Sequence, residues 1–525
     1  MKQYASIFND VLGPVMSGPS SSHTAASVRI GKLMSEMLPG KLTRLRAEFD
    51  EKGAVAPCYH SQWVDAGLAA GILGMMPEDE RLSEALDLLK KQGTELEIVV
   101  SSFPNNHPNT YKLTVENDEG QSIFVKALSV GGGMIELVEV EGFKVSISGG
   151  FYETILFTRC SSDPVSLIQA GELGSMIHLK HQIDIQFDED RKIGFYVIRT
   201  EEALDPETME DLQAMPVVQR AIFLEPVLPV TSQLEPSVPF LTAEELLAQA
   251  EETGREMWEM GVWYESVRGG MTEEETMEKM WALSDAMQAS LANGLSGTEY
   301  EKRILGCQSR YLTDPQRRMR LVPDDLMNEI IKSVSALMEV KSSMGMFVAA
   351  PTAGSCGCVT GTILGVANHL KMKQEQIVKA LFAAGIVGIF LAERATFAAE
   401  VAGCQAECGS GSGMAAAGLV QLMDGTPKEA CAAASMALQN VFGMTCDPVG
   451  MAVEVPCLGK NILSGINGLT SANMALAGFD EVIPLDETVD SFNEVGRMLP
   501  RELRCTGLAG ITTTPSAREA AKKLE

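Results

Sequence analysis

Three cysteines in the second half of the chain sit where packing alone does not call for them. Cys404 lies in AGCQAECGSGSG, Cys446 in MTCDPVG and Cys457 in EVPCLGKN, each with glycine or proline close by. Their separations, 42 and 11 residues, form no CxxC pattern. Thiolates are soft donors suited to iron–sulfur clusters or zinc, and the flanking turns can aim sulfur inward. The competing reading is buried free cysteine, among the most buried of residue types. Spacing alone leaves the two balanced.

Two further segments carry polar groups beyond structural need. GPSSSHT offers Ser20, Ser21, Ser22, His23 and Thr24 at a loop-to-helix junction. A serine run before a helix is most often an N-cap, but three hydroxyls and an imidazole exceed what one cap uses. CYHSQWVD supplies His60, and a histidine near its neutral pKa is a natural general base. APTAGSCGCVTGTILG brings Thr352, Gly354 and Ser355 to the start of an apolar helix. Free N–H groups there suit a carboxylate, while the residues by themselves favour close helix packing.

The elements that must position these groups fall into three parts. Residues 1–148 read as mixed α/β, with an amphipathic helix in SHTAASVRIGKLMSEML and strands in LEIVVSSF, YKLTVEND and SIFVKALSV. Residues 149–229 follow a β-α-β-β-α-β pattern, a ferredoxin-like arrangement, with one helix predicted over 164–176 and a hairpin at DEDRK. The proline-rich stretch EPVLPVTSQLEPSVPF reads as a linker. Beyond it, residues 230–525 read as all-α. Thr242 with Glu245 and Thr272 with Glu275 are spaced as capping boxes, and stretches such as ACAAASMALQNVFGM are apolar on nearly all sides and belong in a core.

These motifs together resemble the bacterial iron–sulfur-dependent L-serine dehydratases. GCQAECGSGSGMAAAGLVQL, TCDPVGMAVEVPCLGKN and MGMFVAAPTAGSCGCVTG resemble the α part of that family. GPSSSHTAASVRIG, HPNT and SVGGGMIE resemble its β part, and the middle unit is similar to the ACT-type domain that often closes the β part. The resemblance covers almost the whole chain, in family order. It implies an α+β multidomain protein: an α/β domain, an ACT-like domain and an all-α domain holding a [4Fe-4S] cluster. It implies Cys404, Cys446 and Cys457 as cluster ligands, with one iron open to substrate, and L-serine converted to pyruvate and ammonia. Ser20, Ser21, Ser22, Thr24, Thr352, Gly354 and Ser355 would then bind substrate, with His60 as catalytic base and His23 orienting the substrate. ACT-type units commonly pair, which implies a homodimer.

The sequence also departs from the family. The usual Gly-His-Gly-Thr-Asp stretch is replaced here, with His60 and Asp65 further apart. Cys505 stands where relatives commonly carry glutamate, and Cys408 where they are usually apolar. The loop CSSDPVSLIQAG lacks the Pro-Gly of ligand-binding ACT units.

Composition narrows the alternatives. A net charge of −28 over 525 residues argues against nucleic acid and anionic membrane surfaces as partners. The longest apolar run is too short to span a bilayer, the first residues lack a signal-peptide core, and a cytoplasmic location is expected. Eleven cysteines in a reducing compartment argue against a disulfide framework. A pyridoxal-phosphate dehydratase would need a Schiff-base lysine with a phosphate loop, which is not seen. An amino-acid sensor with structural zinc would use close cysteine pairs.

Overall fold

The computed structural model of the protein describes residues 3–104, 106–159 and 170–524. It is a mixed α+β, multidomain architecture. Helix α1 (Ala26–Glu36) is followed by β1 (Leu42–Asp50), α2 (Val64–Ile72), α3 (Ala85–Gln92), β2 (Glu95–Ser101), β3 (Thr110–Asn117), β4 (Ser122–Gly131), β5 (Met134–Val140) and β6 (Phe143–Ile147). The strands form one sheet in the order β2-β1-β3-β4-β5-β6. Only β1 and β2 pair in parallel, and the crossover this requires is supplied by α2 and α3. Helices α1 and α2 approach so closely that a Cβ on Gly71 would lie 2.1 Å from the Val28 carbonyl oxygen. That contact fixes α1 and the serine-rich turn that opens it.

A second sheet holds β7 (Tyr152–Arg159), β8 (His181–Asp188), β9 (Ile193–Thr200) and β10 (Val218–Leu224). Its order, β10-β7-β9-β8 with every pair antiparallel, is that of a ferredoxin-like unit. Helices α4 (Ala170–Met176) and α5 (Pro206–Ala214) complete it. Residues 164–169 of the helix predicted over 164–176 lie outside the described residues, as does Cys160. The two sheets share a core: Phe195 stacks on Phe143 at 4.5 Å and meets Phe157 edge-on at 5.1 Å.

The stretch read as a linker is packed instead. Val227, Leu228, Val230 and Phe240 are buried, and Val230 exchanges two hydrogen bonds with the Asn9 side chain, at 2.7 and 2.9 Å. Apolar residues alternate with its prolines, so an extended chain can bury one edge.

The remainder is helical: α6 (Ala243–Thr253), α7 (Met257–Gly269), α8 (Glu273–Ser296), α9 (Asp325–Ser342), α10 (Cys356–Leu370), α11 (Gln374–Arg394), α12 (Ser410–Leu422), α13 (Pro427–Gln439) and α14 (Cys457–Leu476) carry its core. Thr272 and Glu275 form the reciprocal box. At α6 the Thr242 hydroxyl accepts from Glu245 N–H as read, but the Glu245 carboxylate reaches Leu241 N–H instead. Helix α11 is apolar all round. Among the described residues it is the one helix long and apolar enough to cross a membrane, and 78% of its apolar window is buried inside the protein.

The N-terminal segment belongs to this helical core. Ile7 and Val11 press onto α11, where a Cβ on Gly388 would lie 2.1 Å from a Val11 methyl carbon. Val15–Met16 then pairs with Phe347–Val348 in a short antiparallel ladder. The segment is tied by Glu265 of α7, which accepts from Ser6 Oγ at 2.5 Å and Ile7 N–H at 2.7 Å. Burial pushes the Glu265 carboxyl up to about 7. A carboxyl whose pKa rises on folding stabilises the fold most below its unfolded value, and loses that contribution as pH climbs through the folded value. Between pH 4.5 and 7 the wild type should therefore lose stability relative to Glu265→Gln by roughly 3 kcal/mol. Thermal denaturation of both proteins across this range checks it; a pH-independent difference in melting temperature contradicts it.

Candidate active site

The serine-rich turn is a buried, fully folded element. Ser20 is extended and caps it, its Oγ accepting from His23 N–H at 3.3 Å and lying 3.0 Å from His23 Nδ1. Thr24 Oγ1 donates to the Gln62 carbonyl at 2.9 Å, and Ser129 Oγ donates to the Ser22 carbonyl at 2.6 Å. Ser21 Oγ accepts from Ala353 N–H at 3.2 Å, joining the turn to the start of α10.

At that start, Thr352 and Ser355 cap each other. The Thr352 hydroxyl donates to Glu407 Oε1 at 2.6 Å, and Ser355 Oγ donates to the Ala350 carbonyl at 3.2 Å. A Cβ on Gly354 would lie 2.6 Å from Glu407 Oε1, so glycine is what lets the carboxylate in. The N–H groups read as a carboxylate cradle are partly used within the fold: those of Thr352, Ala353 and Cys358 serve Ser355, Ser21 and Asn461.

The cysteines arrive on three elements. Cys404 opens the wide turn that leads into α12. Cys446 is held in an extended bridge: its N–H donates to the Leu503 carbonyl at 2.8 Å, and its carbonyl accepts from Cys505 N–H at 2.9 Å. Cys457 is the first residue of α14. The ligand atoms of Cys404, Glu407 and Cys446 all lie within 4.8 Å of one another. Cys505 joins Cys404 and Cys446 in one buried cluster. Ser20, Ser21, Ser22, Gln62, Gly354, Glu400, Glu407, Cys446, Cys457 and Cys505 line one small cavity.

The electrostatics around it are those of a desolvated site. Hydrogen bonds donated by its own S–H to Cys404 and Cys505, then burial, push the Cys446 thiol up; burial does the same to Cys457. Protonated thiols must release protons to a metal, so binding is tied to pH. Lys460, one turn into α14, sets its ammonium 3.8 Å from Cys404 Sγ and 3.0 Å from Asp447 Oδ1. Burial pushes Glu407 up to about 7. His23 Nδ1 stands 3.8 Å from Glu400 Oε1. His23 Nε2 and Glu400 Oε2 are buried without a hydrogen-bond partner among the described residues.

His60 is not brought to this cavity. Its imidazole is 77% exposed, hydrogen-bonded to Asp65 at 2.7 Å, and it lines a neighbouring cleft that shares only Pro19 and Val453 with the cysteine cavity. Gln62 takes the inward position, its Nε2 donating to the Met451 carbonyl at 3.1 Å. Gln62 stands three residues before Asp65, where His-Gly-Thr-Asp spacing puts the histidine. Trp63, in a left-handed conformation at φ 56°, ends the turn that sends His60 outward.

Sequence reasoning passed over Glu400, Glu407, Lys460 and Asn461. Each lies three or four residues from a candidate cysteine, a helical spacing that was the available signal. Asn461 is fully buried, and its side chain ties Gly354, Cys358, Cys408 and Cys457 together. Cys408 is held there by Asn461 at 3.4 Å, and Cys356 packs on Met338.

With the geometry in view, comparison with known proteins assigns the family. The family described as "Serine dehydratase alpha chain" matches residues 202–512. The chain is 37% identical over 253 residues to the probable L-serine dehydratase alpha chain of Bacillus subtilis, covering 48% of this chain and 84% of that one. It is 36% identical over 281 residues to the L-serine dehydratase alpha chain of Peptoniphilus asaccharolyticus, covering 53% and 96%. Against L-serine dehydratase 1 of Escherichia coli it is 29% identical over 283 residues, 52% of this chain and 61% of that one. The chain belongs to the serine dehydratase alpha chain family.

Asn461→Ala leaves several buried partners unpaired at once. Its loss should cost on the order of 2–3 kcal/mol of stability, read as a lowered melting temperature; an unchanged melting temperature would show that the network does not bind these loops.

Proposed function

We propose that this enzyme dehydrates L-serine to pyruvate and ammonia, at a site built where the serine-rich turn meets the cysteines. The observation that carries the reading is the convergence of buried thiols from distant segments on a cavity closed by Ser20, Ser21 and Ser22. Soft, water-excluded sulfur donors fit a [4Fe-4S] cluster. Cys404, Cys446 and Cys457 would hold it. When bound, the cluster would supply a Lewis acid to stabilise the departing hydroxide.

The chain's own residues supply the rest. Ser20, Ser21 and Ser22 bind and orient the substrate, and Thr352 fixes the Glu407 carboxylate beside it. Gly354 leaves room for that carboxylate, Ser355 holds the turn, and Thr24 anchors the segment bearing Gln62. His23 takes the α-proton on Nε2, with Glu400 steadying its imidazole; this is the role first expected of His60. Burial pulls His23 below its ordinary value, with Glu400 opposing, so the imidazole is unprotonated at neutral pH, as a base must be. The aminoacrylate formed then tautomerises and hydrolyses in water. The middle unit is proposed to be of ACT type, and the enzyme to be a homodimer.

Cys446→Ser should lose both iron and turnover in protein purified without oxygen, whereas Cys505→Ala and Cys431→Ser should keep both. Full iron in Cys446→Ser would overturn the ligand set. For the base, His23→Ala should lower turnover by roughly 10²- to 10⁴-fold with iron retained, and His60→Ala by far less. In the wild type the acid limb of kcat/KM should fall below pH 6.5, because the folded pKa lies under that value. The reverse ranking of the two variants would return the role to His60.

A further inference from the structure

A second cavity, of about 430 Å³, lies away from the cysteines, where all three parts of the chain meet. Phe8 and Pro14 of the N-terminal segment, Met76 beyond α2, Leu228 of the packed connector, and Leu283 of α8 stand in its wall. The volume is that of a small-molecule site, and the lining is predominantly apolar, as such sites are.

One wall residue does not belong in an apolar cavity. Arg29 is 1% exposed. Its Nη1 donates to the Gly133 carbonyl at 2.7 Å, but its Nε has no hydrogen-bond partner among the described residues. Asp10 and Glu78 act on its charge only through space. A buried guanidinium donor left open is costly, and its fork geometry matches a carboxylate. Exposed Glu78 and half-buried Lys279 stand elsewhere on the lining, where the cavity reaches the surface.

We propose that this cavity binds a small carboxylate with a short hydrocarbon body, the carboxylate paired with Arg29 and the hydrocarbon against the apolar wall. Amino acids and 2-oxo acids share this chemistry. An amino acid adds an ammonium group that Glu78 can meet; a 2-oxo acid does not. Arg29 lies on α1, one turn beyond the serine-rich turn, so a ligand held there bears on the element that closes the cysteine cavity.

Titration calorimetry on the full chain tests this with L-isoleucine, its 2-oxo acid, and isoleucinol, which lacks the carboxylate. One of the two acids should bind with unit stoichiometry and isoleucinol should not; the preferred acid tells which source the site serves. Ala282→Trp at the exposed mouth, and Leu283→Trp in the wall, should each weaken that binding by at least on the order of tenfold. Ala282 is exposed, so its variant remains informative if Leu283→Trp does not fold. No binding by either acid, equal binding of isoleucinol, or binding untouched by Ala282→Trp overturns the proposal. None of these readouts depends on serine turnover, so a failed dehydratase assay leaves them standing.

Discussion

The site depends on one junction between segments 332 residues apart, the Ser21 hydroxyl accepting from the Ala353 backbone. It closes a polar turn from the N-terminal part over a helix start from the C-terminal part. A polar surface can be buried this deeply only if nearly every donor and acceptor finds a partner. Ser20, Ser129, Thr24 and Thr352 each satisfy one neighbour. At this junction His23 Nε2 and Glu400 Oε2 are left without a partner among the described residues, and the proposed chemistry would use them. A fold tolerates such orphans where function uses them.

The junction holds because the parts it joins cannot drift apart. The N-terminal segment is not an appendage of the sheet domain but a strap laid into the helical core against α11, pinned by Glu265. The connector after β10 is likewise buried and bonded to Asn9. Small residues set the distances: Gly71 lets α2 touch α1, and Gly354 admits the Glu407 carboxylate. Substituting Gly71 would move backbone, and substituting Gly354 would displace the Glu407 carboxylate.

Much of this was legible in the sequence. Strands such as HQIDIQFD were read to the residue because alternation and a charged hairpin agree there. Cys446 and Cys457 line the cavity, and Cys404 lies beside Cys446. Proline content in the connector masks the apolar Val227, Leu228 and Val230 that bury it. His60 drew attention by residue type, but type says nothing about which side of an irregular turn faces inward, and Gln62 took that side. Glu400, Glu407 and Asn461 were missed for a related reason. Isolated polar residues within apolar helical stretches look like solvent-facing positions until tertiary packing buries them.

The thiols are the centre of the account, and their chemistry can be read without assaying turnover. Iron, zinc and acid-labile sulfide counted in the wild-type chain purified without oxygen bear on it most directly. The account predicts iron and sulfide in equal amounts, at the content of one [4Fe-4S] cluster per chain, with zinc absent. Stoichiometric zinc without sulfide, or fully reduced thiols with no metal after iron and sulfide are supplied, would contradict it.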